Sequence, residues 1–237
     1  MSEVQISNLN KSYYGKQVLF DFNLNLKAGE VLGFFGPNGS GKTTVIKILA
    51  NLLMNYEGEV FIDGKKPSVL TKKDVAYLPD IDFLDEKWTV KECLKVFQTF
   101  YDDFDKNHAE DLLKEFNIKK DAYVRTLSKG TKEKLQVILI IARKAKLYIF
   151  DEPIAGVDPV GREIIFNLIK NNYHKEATVI LTTHLISDIE DVTNRVVFIS
   201  QGRKVLDMTK EEIKAKYGDI SIDYLYRETF RNQGGMR

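Results

Sequence analysis

Cysteine is nearly absent from this chain: Cys93 is the only one in 237 residues. No internal disulfide can form, so the residue reads as a small apolar packing element on a helix, in keeping with a reducing cytosol. A charge excess is missing too. Lys and Arg number 35 and Asp and Glu 34, a formal net charge of +1, which gives no reason to expect a nucleic-acid or polyanion partner. Long hydrophobic runs are also missing. The longest, Val137 to Ala142, falls far short of the roughly 18–20 residues that cross a bilayer, so work at a membrane is expected to pass through a partner. Met1-Ser2-Glu3-Val4 leads from no basic flank into an apolar stretch, and no secretory signal is expected. Internal repeats and low-complexity segments are absent. What is present is 43% hydrophobic content, enough for a sizeable core in one large domain or two small ones.

The hydrophobic pattern changes period along the chain. Val4, Ile6 and Leu9, then Val18, Phe20, Phe22, Leu24 and Leu26, alternate as strands with one buried face. Further strands are expected at Val31–Phe35, at Glu59–Ile62 before an Asp63-Gly64 turn, and at Val75–Leu78, stopped by Pro79. From about Val90 to Ala145 the pattern is helical, with Leu94, Phe97 and Tyr101 on one face and Leu112, Leu113 and Phe116 on another. Strands then alternate with helices: Leu147–Phe150, a helix through Ile164 to Ile169, Val179–Leu181, and a hairpin of 195–200 and 203–208 around Gln201-Gly202. That alternation predicts an α/β fold, a mostly parallel sheet covered by helices. The stretch from Asp219 onward, with aromatics and then polar residues, carries no functional reading.

Gly36-Pro37-Asn38-Gly39-Ser40-Gly41-Lys42-Thr43-Thr44 matches the phosphate-loop pattern. An apolar strand precedes it and a helical pattern follows, the context that turns a pattern match into a site. Glycines let the backbone curl, and the amides of residues 38–44 then converge on phosphate oxygens at the positive end of a helix. Lys42 adds a charge near the β- and γ-phosphates, and the Thr43 hydroxyl can ligate Mg²⁺.

Such a loop needs a metal-organising carboxylate at the end of another buried strand. Asp151 ends the run Leu147-Tyr148-Ile149-Phe150, where α/β sheets bind ligands. It can hold Mg²⁺ through water, and Glu152 can act as general base on an attacking water. Alone, Asp151-Glu152-Pro153 is equally a pair of carboxylates capping a strand-to-loop turn; together with the glycine loop it is a strong signal.

These segments, with Ala155-Gly156-Val157-Asp158-Pro159 and Thr182-Thr183-His184, make residues 1 to about 215 resemble the nucleotide-binding subunit of an ABC transporter. The resemblance implies a phosphate-loop NTPase core with an N-terminal antiparallel β part and an inserted helical part at about 81–145. It implies one domain over 1–218 and a tail over 219–237. It makes Ala155 to Asp158 a loop exchanged across a dimer and His184 a switch on the γ-phosphate; His108 and His174, in polar helical surroundings, are ordinary surface groups. Leu127-Ser128-Lys129-Gly130-Thr131 stands where the family has Leu-Ser-Gly-Gly-Gln. Ser128 and Gly130 are retained and would meet the γ-phosphate held by another subunit, while Lys129 resembles a subgroup of exporters. Tyr77-Leu78-Pro79-Asp80 stands where the family ends in Gln; Asp80 can accept from metal-bound water or be a plain turn carboxylate. Tyr13 fits the aromatic that stacks on adenine, with Tyr14 adjacent.

The resemblance thus implies a cytosolic ATPase that binds ATP and Mg²⁺, pairs with a second nucleotide-binding subunit, identical or not, and drives export through an integral membrane permease on the cytoplasmic face. Rival readings are a soluble ATPase of the same type acting on ribosomes or DNA, and a module that holds ATP without turnover. The cargo is not legible.

Overall fold

A computed structural model describes residues 4–154 and 157–231. The alternating N-terminal stretch forms β1 (Val4–Tyr13) and β2 (Lys16–Leu26), an antiparallel pair with Val4 opposite Leu26. The chain continues through β3 (Val31–Phe35), α1 (Lys42–Leu49) and β4 (Glu57–Ile62). β4 pairs antiparallel with the free side of β1, closing a three-stranded sheet of order β2-β1-β4. Next come β5 (Val75–Leu78) and the helices α2 (Val90–Phe100), α3 (Lys106–Glu115) and α4 (Lys129–Ile141). The last part runs β6 (Leu147–Asp151), α5 (Pro159–Asn172), β7 (Thr178–Thr182), the short α6 (Ile186–Ile189), β8 (Arg195–Ser200), β9 (Arg203–Thr209), α7 (Lys210–Tyr217) and α8 (Ile222–Arg231).

The second sheet has the order β5-β6-β7-β3-β8-β9, parallel except for the antiparallel edge strand β9. Every residue of β3, β6 and β7 is buried, as expected of strands covered on both faces. Alternation sorts their side chains between two cores. Val31, Phe35, Tyr148, Phe150, Val196 and Phe198 face a core shared with α2 to α5. Leu32, Phe34, Leu147, Ile149, Val197 and Ile199 face a core shared with α1 and the small sheet. Helix starts follow capping chemistry: Thr89 and Glu92 form a reciprocal capping box on α2, Ser128 caps α4, and Asp158 caps α5 ahead of Pro159. Each such cap is worth about 1 kcal/mol.

Two tertiary ties were not legible in the sequence. Arg143, 3% exposed, donates to the carbonyls of Val75 (2.7 Å) and Lys73 (2.6 Å), pairs with Asp103 at 3.1 Å and stacks on Tyr101 at 3.9 Å. It fastens the loop between α2 and α3 to the start of β5. At the other end, Tyr226 and Phe230 of α8 pack on Phe198 with ring centroids 5.3 and 6.0 Å away. The start of the tail is therefore a docked amphipathic helix. Among the described residues, no helix is long and apolar enough to cross a membrane.

Candidate active site

Four neighbouring parallel strands, β5, β6, β7 and β3, point their carboxyl ends at one edge of the sheet. Asp80 follows β5, Asp151 ends β6, His184 follows β7 and the glycine loop follows β3. The chain curls tightly after Phe35. A Cβ on Gly36 would stand 2.2 Å from the Ile199 carbonyl oxygen, so only glycine passes there. Gly41, at φ 110°, sits at the N-cap of α1, where no side chain caps the helix and no acidic residue occupies the first turn. The first amides of α1 thus face outward with their partial positive charge uncompensated, a ready seat for an anion. The loop is braced from behind by the β8–β9 turn. Gly202 donates its N–H to the Ser40 carbonyl at 2.8 Å and accepts from the Phe20 N–H at 3.0 Å.

Lys42 is buried, and its Nζ donates to the carbonyls of Gly36 (2.5 Å) and Pro37 (3.3 Å). Burial draws its pKa below the usual lysine value, against the opposing pull of Glu152 and Asp151. The ammonium is held against the glycine loop.

On the facing side, Asp151 is 3% exposed. Thr182, on the neighbouring strand, donates its hydroxyl to Oδ1 at 2.6 Å, while Oδ2 is buried without a hydrogen-bond partner. Burial raises the Asp151 pKa; the Thr182 bond and Lys42 work against the rise, and Asp80 adds to it. Glu152 sits in left-handed backbone, at φ 50°, a strained conformation of the kind that clusters at functional sites. Its N–H donates to Thr182 Oγ1 at 3.1 Å, so one threonine positions both acids. His184 Nε2 lies 3.2 Å from Glu152 Oε1, and the His184 N–H donates to Oε2 at 3.3 Å. Burial raises the Glu152 pKa, opposed chiefly by His184.

These groups share one cavity of about 270 Å³. Its wall contains Asn38, Gly39, Ser40, Gly41, Lys42, Thr43, Thr44, Asp80, Asp151, Glu152 and His184, together with Val18 of β2. The early glycine loop and the late acidic pair therefore meet in a common cleft. Other residues singled out in the sequence stand elsewhere. Ser128 caps its own helix, accepting from the Thr131 N–H at 3.2 Å, and Asp158 accepts from the Gly161 N–H at 3.0 Å; neither they nor Gly130 belong to the cavity wall. Ala155 and Gly156 lie outside the described residues. Tyr13 is also outside the wall, 36% exposed, with Lys11 Nζ 4.9 Å from its ring centroid, whereas Tyr14 is fully exposed in the β1–β2 turn. Val18, Gly202 and Thr182 were read in the sequence as strand, turn and motif residues, but not as parts of the site. Their roles come from strand pairing over long separations, although Thr182 stood within the motif that carried His184.

Residues 19–155 match the family model described as ABC transporter. The chain is 30% identical over 226 residues to an ABC transporter ATP-binding protein, YtrB, of Bacillus subtilis, covering 93% of this chain and 77% of that one. It is 30% identical to the lipopolysaccharide export system ATP-binding protein LptB of Haemophilus influenzae, covering 90% and 93%. Among solved structures it superposes on an ATP-binding subunit of an ABC transporter with a TM-score of 0.86 at 27% identity, covering 96% and 99%. The strand order, the shared cleft and these likenesses agree: the chain belongs to the ABC transporter family, as one of its ATP-binding ATPase chains.

Proposed function

We propose that this protein is the ATP-hydrolysing subunit of a membrane exporter and closes around two ATP molecules with a second nucleotide-binding subunit. The observation that carries the reading is an incomplete cleft. One wall holds the phosphate loop, the acids and His184, yet Ser128 and Gly130 lie outside it. Gly130 has ordinary helical backbone, and a Cβ there would meet nothing within 4 Å. Gly130 is the second residue of α4, where a glycine gives up backbone entropy and adds no side-chain contact, and nothing in this chain's own packing requires it. A surface that must lie flat against another molecule does.

Mg²⁺ fits the residues present. Asp151 Oδ2 is a buried acceptor without a partner, and Thr43 and Asp80 share the same cavity wall. Bound there, the ion would neutralise charge on the β- and γ-phosphates. The chain's own groups do the rest. The amides of 38–44 and Lys42 grip the triphosphate. Glu152 takes the proton of the attacking water, and His184 holds the Glu152 carboxylate in place while reaching the γ-phosphate. Ser128 and Gly130 of the second subunit would close the site, and Tyr13 would stack on the base. Since the bridging phosphate is lost on cleavage, the closed pair is favoured before hydrolysis and released after it. Residues 1–218 act as one domain, with 81–145 meeting the permease, and the subunit sits on the cytoplasmic face through that partner. The relative LptB, an export system ATP-binding protein, supports the direction.

Light scattering on Glu152→Gln at saturating MgATP tests the reading. A dimer supports it; a monomer contradicts it. Copurification of a polytopic membrane protein from a detergent extract supports the transporter role, and a lone soluble chain opposes it.

A further inference from the structure

We propose that Asp80 makes nucleotide binding strictly dependent on a divalent cation, so that the site rejects metal-free ATP. The proposal rests on the ATP-binding reading above. Three carboxylates, Asp80, Asp151 and Glu152, line the cavity against one ammonium, Lys42. Asp151 is 3% exposed and its buried Oδ2 has no partner. A triphosphate entering alone brings several negative charges into this acidic wall, and like charges at close range in a partly desolvated cleft repel by kilocalories. Nor does the wall hold a cation alone: among the described residues, no group of three or more Asp, Glu, His or Cys side chains stands close enough to bind one. Each ion therefore completes the seat of the other.

Asp80 sets this balance because its charge is uncompensated. It is exposed, and among the described residues it makes no hydrogen bond or ion pair. The fold does not need it. Asp82, two positions on, is the opposite case. It pairs with Lys132 at 3.5 Å and accepts from Gln136 at 2.9 Å, and it lines only the neighbouring cleft, whereas Asp80 and Glu152 line both that cleft and the cavity.

The test is equilibrium titration of the full chain with ATP, once with saturating Mg²⁺ and once with EDTA, for wild type, Asp80→Asn, Asp80→Gln and Asp82→Asn. The expected result is a wild-type affinity that collapses in EDTA. Both Asp80 variants recover metal-free binding by about tenfold, the value of one uncompensated charge beside the phosphates at an intermediate effective dielectric. Asp82→Asn keeps the wild-type metal dependence. Equal wild-type affinity with and without Mg²⁺ overturns the proposal. So does a wild-type metal dependence in the Asp80 variants, or an Asp82→Asn effect as large as theirs. Absence of wild-type binding in both conditions has a different meaning: it removes the ATP reading and the proposal with it.

Discussion

Replacing Gly202 by alanine tests whether the hairpin behind the phosphate loop holds that loop in its binding shape. Gly202 has φ 73°, and an added Cβ would stand 2.1 Å from the Val18 carbonyl oxygen and 3.0 Å from the Leu19 Cα. Left-handed backbone costs an alanine about 1–2 kcal/mol. Overpacking against a fixed backbone adds about 1–3 kcal/mol. A reduced unfolded-state entropy returns about 0.4–1 kcal/mol. The expected net loss is about 2–4 kcal/mol. Gly64 supplies the matched control, since it has φ 71° and nothing within 4 Å of an added Cβ. Gly64→Ala carries the conformational cost alone, about 1 kcal/mol after the entropy term. Urea unfolding of both variants reads the difference. Displacing Gly202 also disturbs its 2.8 Å bond to the Ser40 carbonyl, so ATP affinity falls several-fold in Gly202→Ala and stays unchanged in Gly64→Ala. Equal destabilisation of the two variants refutes the packing argument. Intact ATP affinity in a destabilised Gly202→Ala refutes the bracing role.

Lys42→Ala removes the cation over the loop and abolishes ATP binding by titration; unchanged affinity removes Lys42 from that role. Arg143→Ala deletes a buried charge paired with Asp103 and the ties to Val75 and Lys73, and the loss in urea unfolding is about 3–5 kcal/mol. Burial pushes the Glu133 carboxyl up to about 7 from 4.5. Because the folded state holds this proton more tightly than the unfolded chain, the native fold loses stability as pH rises from the ordinary carboxylate range through about 7. Glu133→Gln therefore melts at a higher temperature than wild type near pH 8, with the gain vanishing near pH 5; a gain that grows on acidification has the wrong sign.

Motifs that are contiguous in the chain were legible without coordinates. The glycine loop, the Asp151-Glu152 pair and His184 each follow an apolar strand, and parallel strands deliver whatever follows them to the same edge. Cys93 packs on α2 as an apolar residue, fully buried. Sequence alone did not separate Tyr13 from Tyr14; the turn geometry sets them apart, with Tyr14 at φ 49° and wholly in solvent and Tyr13 36% exposed. What the sequence hid was pairing. Thr182 meets Asp151 because β7 lies beside β6, and Gly202 meets Ser40 because β8 lies beside β3. Neither adjacency has a local signal. α8 escaped notice because its apolar stripe is short and aromatic, and it docks on parts of the chain far away in sequence: Phe198 meets its rings, and Glu190 at the end of α6 accepts from the Ile222 N–H at 2.9 Å.

The central claim is that the triphosphate gripped by the loop is cleaved with the help of Glu152, 3.2 Å from His184. Parallel ATP titration and steady-state turnover of Glu152→Gln test it most directly. The account predicts ATP affinity within a few-fold of wild type and turnover lower by about 10²–10⁴. Turnover at the wild-type rate, with ATP still bound, would contradict it.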